Sequence, residues 1–305
     1  MKANSARLYR ATATQLRAFQ MAAQHLSVTR AAAALHLSQP TVSVQLRQLA
    51  ELVGEPLFET VGRKLRLTPV GQLLQQTVSD IADCWERFDA QRAELQGLLR
   101  GRLRIAAVTT AEYFVPNLLG PFAAEHPSVE IELVVENKDR VVERLRAGSD
   151  DLSVMMLAPP QLPLHQRPFL DNPLVVVAAV DHPMQGRRLR LRDLSSQRWL
   201  LREQGSGTRS VAESHFRARE FEPRVAMSLG SNEAIKHAVA AGLGIAVLSR
   251  LALAAGADGL AELTVSGFPL KRQWSVVWRK DRGLSRAATR FVEYLQGRQT
   301  HTASP

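Results

Sequence analysis

A chain of 305 residues with 39 Lys and Arg against 29 Asp and Glu carries a net charge of +10, and has room for two or three compact units. Its hydrophobic content of 45% is that of a folded protein, and its single cysteine, Cys84, excludes an internal disulfide and a Cys-built metal centre. No apolar run reaches the ~20 residues that span a bilayer, and MKANSARLYRATATQ lacks the apolar core of a signal peptide, so a cytoplasmic protein is expected.

The charge is uneven. Residues 1–67 hold nine Lys/Arg against three Asp/Glu, residues 68–100 three against five, and the remainder 27 against 21. Phosphate contact is therefore expected at the N-terminal end. There, Thr12 or Thr14 is placed to cap a first helix carrying Leu16, Phe19, Ala23 and Leu26. An Ala-rich helix from about Thr29 to Leu35 follows, and His36, Leu37 and Ser38 make a tight turn. Ser38 caps the next helix, with Pro40 in its first turn. Val42, Leu46, Leu49 and Val53, spaced i, i+4, i+7 and i+11, form its buried stripe. The other face offers Gln39, Pro40, Ser43, Val44 and Arg47, which suits a DNA major groove. Thr29, Arg30, Ser38 and Thr41 join them as candidate DNA contacts, and Arg63 and Lys64 sit in a following basic hairpin with Gly62 and Arg66. The plainer alternative is a pair of amphipathic helices with solvated faces, a geometry common in proteins that never touch DNA.

Thr68 and Pro69 open a long helix to about Gln96. Leu74, Val78, Ile81, Trp85, Phe88, Arg92, Leu95 and Leu99 step by four and three, a heptad seam that points to a homodimeric coiled coil; the alternative is a core helix within its own domain. Cys84 falls in this pattern and is expected to be buried.

From Gly101 strands and helices alternate, which implies a parallel sheet flanked by helices. Expected strands are Leu103–Val108, Val129–Val135 and Leu152–Leu157, with helices at Val115–Glu125 and Val141–Ala147. Pro159, Pro160, Pro163 and Pro168 suggest a crossover to a second set: strands at Leu174–Val180, Trp199–Leu201, Arg224–Leu229 and Ile245–Leu248, with helices from Thr208 and Asn232. Gly267, Phe268 and Pro269 suggest the return, after which the strand Gln273–Trp278 and the helix Ser285–Gln296 rejoin the first lobe. Two α/β lobes joined by two crossovers make a cleft.

Ligands of such sheets bind beyond the carboxyl ends of strands, against helix N-termini. Thr109 and Thr110, Asn137 and Lys138, and Ser231 and Asn232 occupy such positions. So does the run Arg202, Glu203, Gly205, Ser206, Gly207, Thr208 and Arg209. Each has a plainer reading as a helix cap or a turn. The glycine run lacks the Gly-Lys-Ser/Thr of a nucleotide-binding loop. A donor-rich cleft bearing arginine favours a small anion, a carboxylate or phosphate ester, with no cofactor or metal. His126, His165, His182, His215 and His237 are scattered without a catalytic motif, and Ser206 has no identifiable base, so no enzyme is expected.

The run TRAAAALHLSQPTVSVQLRQLAELVGEPLFETVGRKLRLTPVG resembles the N-terminal domain of LysR-type transcriptional regulators. The match includes the Gly-x-x-Leu-Phe-Glu step at Gly54, Leu57, Phe58 and Glu59, the Gly-Arg wing, and the Leu-Thr-x-x-Gly entry to the next helix. Val44 departs from the polar or basic residue frequent at its position, and suggests apolar contact with a thymine methyl. The resemblance covers about 12–298 and implies the following organisation: a winged helix-turn-helix domain over 1–68, a linker helix over 69–100, an effector domain over 101–298 and a tail over 299–305. The effector domain would be α/β and periplasmic-binding-protein-like (type 2), with lobe I at about 101–166 and 270–298 and lobe II at about 167–269. It also implies promoter DNA as partner, a homodimer pairing into a homotetramer that bends DNA, and contact with RNA polymerase. The runs FLDNPLVVVAAVDHP, LREQGSGTR and SNEAIKHAVAAGLGIAVLS resemble the branch controlling carbon-dioxide fixation genes, whose members sense phosphorylated metabolites. The alternatives are a LysR-type regulator of another operon sensing a different anion, and, remotely, a solute-binding or enzymatic use of the two-lobed domain.

Overall fold

Thr12 begins the first helix with a reciprocal cap: its Oγ1 accepts from the Gln15 amide at 3.2 Å, and its own amide donates to Gln15 Oε1 at 2.9 Å. The structure, a computed structural model, describes residues 10–62, 64–94, 99–254, 256 and 258–302. It divides into two units, Met1–Asp89 and Ala90–Pro305.

In the first unit, α1 (Ala13–His25), α2 (Val28–Leu35) and α3 (Gln39–Val53) each start on a side-chain hydroxyl cap: Thr12, Ser27 and Ser38. Leu26 and His36 end the first two in the left-handed region, and Gly54 at φ 89° ends the third. Ala18, Ala22, Ala31, Ala32 and Val42 are buried together, so the Ala-rich sequence lets the helix backbones approach closely. Phe19, Leu49, Leu57 and Val78 form a second buried layer. β1 (Phe58–Val61) and β2 (Lys64–Leu67) pair antiparallel, with Gly62 at φ 65° in the turn. Arg63 lies outside the described residues.

Thr68 joins hairpin to helix. Its Oγ1 donates to the Pro56 carbonyl at 2.7 Å and accepts from the Gly71 amide at 3.0 Å. A Cβ on Gly71 would stand 2.1 Å from the Leu57 carbonyl oxygen, so only glycine lets α4 (Pro69–Glu94) pass there. Leu74 and Val78, the first two positions of the expected seam, pack into the core of this unit. The apolar residues left outside are Leu73 (71% exposed), Ile81 (40%), Trp85 (67%) and Phe88 (55%). Leu95 lies outside the described residues. Cys84 is exposed, against expectation, because this stretch of α4 has left the core that covers Val78.

The second unit holds two five-stranded sheets, one in each lobe. Lobe I contains β3 (Gly101–Val108), α5 (Val115–Glu125), β4 (Val129–Glu136), α6 (Lys138–Ala147), β5 (Leu152–Met155) and β6 (Leu164–Asp171). Lobe II contains β7 (Leu174–Ala179), β8 (Arg198–Arg202), α7 (Gly207–Arg217), β9 (Arg224–Leu229), α8 (Asn232–Ala240), β10 (Ile245–Ser249), α9 (Arg250–Ala254) and β11 (Leu260–Leu263). The chain returns to lobe I as β12 (Gln273–Arg279) and α10 (Arg286–Thr302), so the lobe I sheet has the order β4-β3-β5-β12-β6 and the lobe II sheet β11-β7-β10-β8-β9.

The expectation of parallel sheets is corrected. β3, β4 and β5 are parallel, as are β8, β9 and β10, but β12 and β6, and β7 and β11, run antiparallel to their neighbours. Strands that enter a sheet by a crossover are free of the βαβ geometry that forces parallel pairing. β6, not anticipated, keeps Pro168 at a register shift on the sheet edge, where a missing amide is tolerated. The first crossover therefore falls at Asn172 and Pro173 rather than near residue 166.

Candidate functional site

On the first unit, α3 turns Val42 (fully buried) and Leu49 inward, and leaves Gln39, Pro40, Ser43, Val44 and Arg47 exposed on the opposite face. Thr29, Arg30, Ser38, Thr41 and Lys64 are exposed as well. Ser38 and Thr41 have partly spent their hydroxyls on each other, with the oxygens 2.7 Å apart, and Ser38 Oγ also accepts from the Thr41 amide at 3.3 Å. Arg47 and Lys64 form no ion pair among the described residues, so their charges face outward uncompensated. A helix face of short polar groups, one exposed valine and one cation, beside a cationic hairpin, is chemically fit to read base edges and hold phosphates.

In the second unit, the expected residues converge from both lobes. Thr109 and Thr110 open a 3₁₀ turn (Thr109–Tyr113) after β3, and Asn137 caps α6, accepting from the Arg140 amide at 3.0 Å. Together with Lys138 they face Arg202, Glu203, Ser206, Gly207 and Thr208 of lobe II across a cleft with about 360 Å³ of empty space, partly open to solvent. Met155, Met156, Leu157, Val108 and Trp274 supply its apolar lining. The end of β5 was a signal for the two methionines, since it shares an edge with the end of β3. Trp274 arrives on β12 from far along the sequence, and nothing local announces it.

Four expected residues do not line the cleft. Arg209 is spent on structure: it donates to Glu213 Oε1 at 2.7 Å, the Arg202 carbonyl at 3.0 Å and Ser228 Oγ at 3.1 Å, tying the ends of β8 and β9 together. Ser231 caps α8, accepting from the amides of Glu233 and Ala234. Gly205, at φ 83°, lies so close to Asp139 that a Cβ would fall 2.4 Å from its Oδ2. Asn232 stands behind the wall and connects it.

That connection is a buried polar chain across the lobes. The Arg202 side chain is 2% exposed and forms two bonds with Glu203, Nε to Oε2 at 2.8 Å and Nη2 to Oε1 at 2.9 Å. Its Nη1 donates to Asn232 Oδ1 at 2.5 Å, and Asn232 Nδ2 donates to Thr110 Oγ1 of lobe I at 3.2 Å. A second bridge escaped the sequence reading: Tyr113 Oη of lobe I donates to Glu233 Oε1 at 2.5 Å. Lys236 Nζ bonds the same oxygen at 2.9 Å and lies 5.5 Å from the Tyr113 ring centre. Burial and then the Glu233 hydrogen bond push the Tyr113 hydroxyl well above its ordinary pKa, while the Tyr113 and Lys236 hydrogen bonds hold the Glu233 carboxyl below its own.

Residues 13–72 match the family described as bacterial regulatory helix-turn-helix protein, lysR family, and residues 96–300 match the LysR substrate binding domain. The chain is 44% identical over 293 residues to the RuBisCO operon transcriptional regulator of Acidithiobacillus ferrooxidans, with 93% of each chain covered. It is 42% identical to the HTH-type transcriptional activator CmpR of a Synechocystis strain, covering 93% of this chain and 95% of that one. Among solved structures, the CcmR regulatory domain of Synechocystis in complex with 2-PG is 40% identical, with a TM-score of 0.63, and covers 65% of this chain and 97% of that domain. The chain thus belongs to the LysR family of transcriptional regulators, and within it resembles the regulators of carbon-dioxide fixation operons.

Proposed function

We propose that the chain regulates transcription of carbon-dioxide fixation genes, binding their promoter through α3 and the β1–β2 wing and answering to a small anion held in the cleft of its second unit. The convergence of Thr109, Thr110, Asn137, Lys138, Ser206 and Thr208 on that cleft carries the reading, because such a set of donors, with Arg202 beside them, suits a phosphate or carboxylate. Organic phosphates are the leading class, since the similar CcmR domain was solved with 2-PG, 2-phosphoglycolate. In this reading Val44 meets a thymine methyl, Arg47 reads a base edge, and Lys64 and Arg63 hold phosphates. The protein acts in the cytoplasm, without catalysis and without a cofactor.

The exposed stripe Leu73, Ile81, Trp85 and Phe88 supports pairing of α4 with a second copy, and two dimers joining as a tetramer follow from the family's habit. RNA polymerase is the expected further partner. Fluorescence anisotropy with a duplex from the ribulose-bisphosphate carboxylase promoter, against a scrambled duplex at equal salt, tests the target. Preferential binding of the promoter, altered by 2-phosphoglycolate, supports the reading. Equal affinity for both duplexes removes the carbon-fixation target and leaves a LysR-type regulator of another operon.

A further inference from the structure

Arg202 holds the most deeply buried guanidinium on the cleft wall, and its charge is already matched. Both of its bonds to Glu203 are short and a third N–H goes to Asn232, so three of its five donors are spent and its bidentate Nε–Nη2 edge opens to a ligand only when Glu203 leaves. A guanidinium 2% exposed needs a counter-charge close by, because an unpaired buried ion is costly. Glu203 is the only carboxylate bonded to Arg202 among the described residues.

The pairing of adjacent residues is itself unusual. Successive side chains on a strand point to opposite faces, and this pair meets because Arg202 ends β8 while Glu203 lies beyond it. The Glu203 backbone is fixed at both ends: its amide donates to the Leu229 carbonyl at 3.0 Å, and its carbonyl accepts from the Ser206 amide at 3.2 Å. Its side chain, by contrast, is 24% exposed and borders the cleft. The carboxylate can therefore turn toward solvent by side-chain rotation alone, whereas Arg202 is held by Asn232 and by burial.

Resting on the effector reading above, we infer that Glu203 is a resident stand-in for the effector: an intramolecular carboxylate that occupies Arg202 until an external anion takes its place. A phosphate or carboxylate oxygen pair reproduces the bidentate geometry that Glu203 presents. With Glu203 in place the Arg202 charge is matched, so an uncharged ligand finds no open bidentate edge, and an anion must outcompete a tethered rival. The pair thus sets a threshold concentration and rejects uncharged analogues. It also places the exchange on Arg202, which leads through Asn232 to Thr110 of the other lobe.

The test is isothermal titration of the full-length protein and its Glu203→Gln variant with 2-phosphoglycolate, inorganic phosphate and glycolate. Removing the competing charge is expected to tighten 2-phosphoglycolate binding at least tenfold, with a larger ligand-induced rise in Tm than in the wild type. Glu203→Asp, which keeps the charge but shortens its reach, is expected to fall between the two and guards against a folding defect in the glutamine variant. An Arg202 Nε–H resonance that shifts in the wild type when the ligand is added is the matching spectroscopic sign. If the wild type binds 2-phosphoglycolate and Glu203→Gln binds it equally or more weakly, Glu203 contacts the ligand or stands aside, and the exchange is overturned while the effector reading survives. If neither protein binds any of the three, the effector class fails and the exchange fails with it.

Discussion

Arg47 and Lys64 are both exposed cations on the first unit, yet the account gives them different work. Arg47→Ala is expected to weaken promoter binding by about 1–3 kcal/mol relative to random DNA, because a base-edge contact carries sequence information. Lys64→Ala is expected to weaken both equally and to lower the salt slope of log K by about one, as loss of one phosphate contact would. Anisotropy at several salt concentrations separates the two. At the other unit, the Glu233 carboxyl lies below its ordinary value of 4.5, through the Tyr113 and then the Lys236 hydrogen bonds. A depressed carboxyl contributes stability that is complete above the unfolded value and is lost as pH falls through the folded one. Tyr113→Phe should therefore raise the Glu233 pKa toward 4.5, seen by carbon NMR of the carboxyl, and reduce the part of acid destabilisation that develops below that pH. The cap at Ser38 was legible in the sequence because a short polar side chain stands directly before a periodic run, whereas Ser231 had capping only as the alternative to ligand contact and Asn137 was read as a ligand donor. The fates of Arg202 and Arg209 were not legible. Arg202 ends β8 and Arg209 lies in the first turn of α7, and only the positions of Glu203, Asn232, Glu213 and Ser228 decide which one borders the cleft and which one ties strands.

Elements add constraints that single residues do not express. α4 starts against Leu57, and Gly71→Ala would drive a methyl into that carbonyl, so a loss of about 1–3 kcal/mol or more is expected in thermal unfolding of the first unit. Further along the same helix, Trp85 and Phe88 meet edge to face, 6.2 Å between ring centres, with both largely exposed. Replacing both by alanine should leave the helix-turn-helix core intact and shift sedimentation velocity toward the monomer. A dimer of unchanged strength would mean that this stripe is not the pairing surface. The heptad periodicity was visible in the sequence, but its division was not. Leu74 and Val78 serve the core beside them, while the neighbouring Leu73 turns outward, and period alone cannot say which partner a seam residue meets. Likewise β6 and β11 gave no signal: β6 buries little beyond Phe169, and β11 is four residues long. Among the strands that were legible, β7 and β10 are near-continuous apolar runs buried on both faces.

For the whole molecule, cleft occupancy must change what the DNA experiences. An effector acts only through its different affinity for two states, so tight binding alone is not regulation. The cross-lobe bonds from Thr110 to Asn232 and from Tyr113 to Glu233 are the contacts through which an anion at Arg202 would bias the two lobes. The alternation of strands and helices was enough to expect two lobes and a cleft. The direction of β7, β11, β12 and β6 was hidden because crossover strands carry no local mark of orientation. The most direct test of the account is a DNase I footprint of the full-length protein on the ribulose-bisphosphate carboxylase promoter, at fixed salt, with and without saturating 2-phosphoglycolate. The account predicts protection over several helical turns that shortens or relaxes when the anion is present. An identical footprint in the two lanes, at a concentration where calorimetry shows the cleft filled, would contradict it.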